Sequence, residues 1–238
     1  MFSKVESPIR IGSKNQLEKA ALHFGVLPFF ANRIPGFSVE ELTLPGMLFG
    51  GNEDYGCWEW KGPVIQEQTT AYGKFFNRKA GFVSLDLLPA FLNYRRKAYP
   101  VIPGTTDDML LEIIRNYEGL SSTELKALVY GNSASNRKPE DPVDIFSPVK
   151  SKRKSLESPL QRLQMGGQIL IANFEYKYTR KGDRYGWGVA VYSTPEIWFE
   201  RKFQIDSKTS DESLDDLTEI VAKRIKGIPM LSLRNLLK

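Results

Sequence analysis

The chain has 238 residues, 41% of them hydrophobic and 26% charged, which describes a globular protein of one large domain or two to three small ones. Its net charge of +5 is modest, but the residue inventory excludes more: Cys57 is the only cysteine and His23 the only histidine. They allow neither a disulfide framework nor the usual four-ligand structural zinc site, and no apolar run approaches the roughly 20 residues of a membrane span. A Ser-His-Asp or Cys-His engine would have to use His23, which sits beside Ala20, Ala21 and Phe24 on an amphipathic stretch and reads as structural. The opening "MFSKVESPIRIGSKNQ" lacks the apolar centre of a secretory signal, so a cytoplasmic location is expected.

Ser13 to Phe24 reads as a helix, capped by Ser13 with Gln16 and carrying Leu17, Ala20, Ala21 and Phe24 on one face. Ser38 with Glu41 opens a second, short helix after the Pro35-Gly36 turn. "MLFGGNEDYGCWEWKGP" reads as a loop with glycines and two tryptophans. From Val64 to Ser84 aromatic and β-branched residues rise, giving a strand, a turn at Asn77-Arg78-Lys79 and a returning strand. "LDLLPAFLNYRR" is helical in part, with Pro89 expected to kink or end it. Pro100 to Gly104 is a natural boundary.

Beyond it, "TTDDMLLEIIRNY" is a helix capped by Thr105 or Thr106, and Ser121 with Glu124 opens a shorter one. Residues 132–157 are polar, proline-rich and charged, and read as an inserted loop. Ser158-Pro159, with Gln161 as the reciprocal partner, is expected to start a helix carrying Leu160, Leu163 and Gln164 and stopping at Gly166-Gly167. "QILIANFEYKYTRKGDRYGWGVAVYSTP" is the clearest hairpin of the chain, with a Lys-Gly-Asp turn signal. "SDESLDDLTEIVAKRIK" and "MLSLRNLLK" close the sequence as helical segments.

Charge is unevenly placed. Lys150 to Arg184 holds nine bases against three acids, and Lys74 to Tyr99 six against one, so the remainder of this +5 chain is net negative by six. Such segregation is the footprint of a partner that is a polyanion. The order helix, short helix, helix, basic-tipped ribbon over residues 106–194 is that of a winged helix-turn-helix, and residues 13–84 offer a looser version of it. "YGKFFNRKAGF" and "YTRKGDRYGW" echo each other, each setting bases between aromatics. The expected fold is therefore α+β: tandem winged helix-turn-helix modules with short β-hairpin wings. The expected division is an N-terminal module at 1–103, a second at 104–200 with the inserted loop, and a helical extension at 201–238.

"GCWEWKGPV", "AYGKFFNRKAGFVS", "YRRKAYP", "LQRLQMGG" and "YGWGVAVYSTPE" together resemble the AlkZ-related winged-helix proteins, a largely uncharacterised bacterial family, over roughly residues 10–200. The resemblance implies tandem winged helices distantly similar to alkylpurine DNA glycosylases, whose Gln-x-Gln or Gln-x-Asp pair positions the attacking water. Gln66-Glu67-Gln68 matches that spacing, but not the early, leucine-rich context of the motif; in a strand, Gln66 and Gln68 would share one face by period alone.

Three functional readings are open. The first is a non-enzymatic DNA-binding protein, with regulation as one use. Lys150, Lys152, Arg153 and Lys154 would form a basic arm to phosphates, and Arg180, Lys181 and Arg184, with Arg78 and Lys79 on the other ribbon, would be wing contacts. Gln161, Arg162 and Gln164 would reach base edges. The second is a glycosylase-type repair hydrolase using Gln66 and Gln68, with Trp58, Trp60, Tyr72 and Phe75 lining a base pocket. The third is a protein-interaction scaffold, since winged helices also dock proteins. The glycines of "GMLFGGNEDYG" are not followed by the Lys-Ser/Thr of a phosphate loop, so no nucleotide cofactor is expected, and no metal.

Overall fold

The computed structural model describes residues 5, 7–50, 56–130 and 155–238. The first half runs α1 (Lys14–Phe24), β1 (Val26–Pro28), α2 (Val39–Leu42), α3 (Cys57–Gln66), β2 (Thr70–Phe76) and β3 (Lys79–Ser84), followed by α4 (Leu88–Ala98). The second half repeats the order: α5 (Thr106–Arg115), β4 (Leu120–Ser121), α6 (Ser122–Tyr130), α7 (Glu157–Met165), β5 (Leu170–Tyr178) and β6 (Arg184–Ser193). Then come α8 (Pro195–Trp198), α9 (Ser210–Arg224) and α10 (Met230–Leu237). Each half closes a three-stranded antiparallel sheet in which the last strand lies in the middle, β1-β3-β2 and β4-β6-β5. The α+β class is as expected from the sequence.

Local chemistry explains most boundaries. Ser13 accepts from the Gln16 N–H, Ser38 from Glu41 and Thr105 from Asp108, each satisfying an orphan donor of a first turn. At α6, Ser121 and Glu124 cap each other reciprocally. The β2–β3 hairpin turns through Asn77 and Arg78, at φ 46° and 65°, the left-handed pair that a two-residue turn requires. Arg78 adopts this conformation without glycine's freedom, and its carbonyl is held by the Gln161 side chain at 3.3 Å.

Three expectations are corrected. Residues 57–66, read as loop running into strand, are α3, with Gly62 and Pro63 inside the helix; the strand begins only at Thr70. Pro89 starts α4 rather than ending a helix, because its missing N–H costs nothing in a first turn. α7 begins at Glu157, one residue before the expected cap Ser158, and the N–H of Glu157 is taken by Ser155.

The buried apolar side chains form one continuous cluster through both halves. α9 packs along α4 and α10 packs on α9. Asn93 donates to Ser213, Lys97 pairs with Asp206 and Arg224 with Asp86, so the C-terminal helices are fastened to the first half.

Candidate nucleic-acid interface

The two halves meet through a reciprocal exchange. α7, the third helix of the second half, packs on β2 of the first; α3, the third helix of the first half, packs on β5 of the second; and β2 and β5 touch each other. Equivalent glutamines near the ends of the two helices make the clasps. The Gln66 amide donates to the Ala172 carbonyl at 2.7 Å, and Gln164, fully buried, accepts from the Lys74 N–H at 3.0 Å while donating to Leu160. Gln164→Ala is expected to lower stability by about 1–3 kcal/mol, because it leaves a backbone donor of β2 unpaired at a closed interface. Urea denaturation measures it.

This exchange determines what the third helices present. Along α3 only Pro63 and Gln66 are exposed, and along α7 only Glu157, Ser158 and Arg162. Arg162 is held bidentately by Asp107 at 2.6 and 2.8 Å, which raises its already high pKa. Gln161 is occupied with the Arg78 carbonyl. Neither helix offers the open row of polar side chains that enters a major groove. Gln66 and Gln68 share no strand face: Gln66 ends α3, and Gln68 follows at φ 54° with its amide on the Trp198 carbonyl at 2.9 Å. Tyr72 and Phe75 are core residues, and the burial of Tyr72 pushes its phenol pKa up. Trp58 and Trp60 are half-buried.

The basic segments are partly neutralised inside the protein. Of the bases between Lys74 and Tyr99, Arg95 is fully buried, Arg96 is bidentate to Glu196, Lys97 pairs with Asp206 and Lys74 lies 3.8 Å from Glu157. Arg78 and Lys79 remain exposed at the tip of the β2–β3 hairpin, with no ion pair among the described residues. Lys150, Lys152, Arg153 and Lys154 lie outside the described residues.

The β5–β6 hairpin is different. It is anchored on α3 near its outer end: Arg184, opposite Tyr178 in the strand pair nearest the turn, pairs with Glu59 at 2.5 Å and stacks 3.4 Å from the centre of the Tyr176 ring, whose hydroxyl also donates to Glu59. Arg180 and Lys181 in the turn beyond that pair, and Lys177 beside it, are exposed with no ion pair among the described residues. Around this anchor, Tyr178, Tyr185 and Trp187 are 61%, 51% and 73% exposed. Trp187 rests against Trp58 of α3, ring centres 5.7 Å apart and planes at 89°.

Trp58 in turn lies 3.9 Å from the ammonium of Lys61, which is 2% exposed, donates to the Trp58 carbonyl and also faces the Phe174 ring at 4.5 Å. Burial lowers the Lys61 pKa to about 8. No sequence signal marks Lys61, because a lysine on the inner face of a helix looks like an interruption of the apolar pattern.

A family model described as AlkZ related matches residues 11–238, nearly the whole chain. The chain belongs to the AlkZ-related family. Comparison with curated proteins and with solved structures gives no match. In this AlkZ-related chain, no helix among the described residues is long and apolar enough to cross a membrane.

Proposed function

We propose that this AlkZ-related chain is a non-enzymatic DNA-binding protein made of two winged-helix modules, 1–103 and 104–200, with 201–238 as a helical extension. The repeated element order and the shared strand order support the modular reading. Family membership agrees with a DNA-binding or repair-related role. The observation that carries the proposal is the free positive charge of the β5–β6 hairpin: Arg180 and Lys181 lie in the turn past the Arg184 contact with α3, Lys177 is exposed beside it, and none of the three meets an acid in an ion pair among the described residues. Arg78 and Lys79 on the β2–β3 tip add a second, smaller contact. With both third helices closed into the interface between the halves, the wings take the phosphates and the mechanism is chiefly electrostatic.

Fluorescence anisotropy with labelled DNA across a salt series is the test. Binding should weaken steeply with salt, and Lys177→Ala/Arg180→Ala/Lys181→Ala should reduce the slope of log K against log salt by about 2–3, roughly one for each phosphate that is no longer neutralised. Absence of binding to any DNA at low salt, or an affinity that salt leaves unchanged, overturns the proposal.

A further inference from the structure

We infer that the β5–β6 hairpin, if it binds DNA as proposed above, takes DNA whose bases are unpaired, stacking them on Trp187 and Tyr178 while Lys177, Arg180 and Lys181 follow the phosphates. A hairpin that met only the backbone of an intact duplex would need its cations and no rings, yet this one exposes rings at substantial cost in apolar surface. Trp187 keeps 73% of its surface in water, an unusual position for the largest side chain.

Its exposure is built in. Glu175 pairs with Val189 and Lys177 with Tyr185, so β6 carries two extra residues opposite Tyr176. That bulge is Gly186-Trp187-Gly188, with Gly186 at φ 75°. A Cβ at Gly188 would come within 2.7 Å of the Tyr176 ring, so glycine there lets the bulge close over Tyr176 while Trp187 is re-aimed outward. The perpendicular contact with Trp58 then holds the indole on the side of the hairpin that faces α3. Tyr178 lies on that same side, because it follows Tyr176 by two residues along β5 and Tyr176 reaches Glu59 of α3.

Rings fixed in place beside free cations are the means by which proteins hold single strands, every base having a π-face to stack. With Arg184 paired to Glu59, the hairpin's own acids, Glu175 and Asp183, are still outnumbered by Lys177, Arg180 and Lys181, so its charge complements a polyanion. The closed third helices remove the usual duplex reader.

The experiment compares a single-stranded oligonucleotide, the matching duplex and a duplex with a central unpaired loop, against the full chain and its Trp187→Ala, Trp187→Phe and Tyr178→Ala variants. The single strand and the looped duplex should bind about tenfold more tightly than the intact duplex. Trp187→Ala should lose about that factor on unpaired DNA and little on duplex, Trp187→Phe should retain most of it, and Tyr178→Ala should weaken the same forms. Circular dichroism and a melting curve confirm that each variant is folded, and Tyr178→Ala tests the idea should Trp187→Ala fail to fold. Duplex bound as tightly as single strand, or unpaired-DNA binding indifferent to loss of both rings, overturns the inference and leaves the DNA-binding proposal standing. No binding to any of the three DNAs at low salt overturns that proposal itself.

Discussion

Arg95→Ala is expected to lower the stability of the protein by about 3–5 kcal/mol, the largest single-residue effect in the molecule, whereas Arg95→Met should cost less than half as much. Arg95 is completely enclosed, on the inner face of α4. Its guanidinium donates to the Phe75 carbonyl at 2.6 Å and to the Lys238 backbone oxygen at 3.1 Å, while Tyr99 donates to that same oxygen at 2.6 Å. No aspartate or glutamate pairs with it among the described residues; the charge rests instead between the rings of Phe91, Tyr94 and Tyr99, 5.2–5.5 Å from their centres. Its Nε is buried without a partner. Burial accordingly lowers the pKa from its usual value, although the group stays charged.

Truncation to alanine leaves a cavity where a long side chain was and removes the guanidinium donor from the Phe75 carbonyl, while the Lys238 oxygen keeps the Tyr99 hydroxyl. Methionine keeps much of the volume, removes the desolvated charge and leaves only the Phe75 carbonyl without its guanidinium donor. Urea midpoints for the two variants, with melting curves as a cross-check, decide the matter. Equal losses for alanine and methionine would mean that the charge itself, held by carbonyls and π-faces, is what stabilises this junction of β2, α4 and α10.

The same residue shows how far the sequence could be read. Arg95 counts as one of six bases in a segment that looks like a surface for a polyanion; in the structure only Arg78 and Lys79 of that segment remain exposed and outside any ion pair among the described residues. Charge counts along a chain cannot separate a cation that faces water from one that meets Glu196 or Asp206 a hundred residues away. Caps and hairpins were legible because their chemistry is local: Ser121 and Glu124 find each other within one turn, and the Lys-Gly-Asp turn needs only its neighbours.

α3 was not legible. Its buried positions, Cys57, Lys61, Val64 and Ile65, do follow a helical period, but one is a lysine and Gly62-Pro63 breaks the run. Only packing on α1, β2 and β5 makes a helix of it. The clasp between halves was hidden for the same reason. Gln66 and Ala172 are 106 residues apart and Gln164 and Lys74 are 90 apart, and nothing local in either glutamine marks a partner.

Lys61 gives the second large effect, and one whose sign is set by pH. The difference between its ordinary pKa of 10.5 and about 8 in the folded protein corresponds to roughly 3 kcal/mol. Burial is the main cause; Glu59 opposes it and Arg184 adds to it. Below pH 8 the lysine is protonated in both states, and the folded state bears the full penalty of enclosing the charge. Between pH 8 and 10.5 the unfolded chain holds a proton that the folded protein has released, so stability should rise with pH through that window. Tyrosines limit the rise from above. The Tyr192 pKa is pushed up to about 12 and that of Tyr72 is also raised, so above pH 10 the unfolded chain sheds protons the folded one keeps, and stability falls again.

Lys61→Met should therefore stabilise the protein by about 1–3 kcal/mol at pH 7 and abolish the rise between pH 8 and 10. Urea denaturation of both proteins at pH 7, 8, 9 and 10 measures it. A flat wild-type profile together with a destabilised variant would show that the Trp58 and Phe174 faces and the Trp58 carbonyl outweigh the loss of hydration. The β5–β6 hairpin, proposed above to bind DNA, offers an internal control. Methionine fills the same space beneath Trp58, so Trp187 keeps its support, and a change in stability without a change in DNA affinity would place Lys61 in the framework rather than in the binding surface.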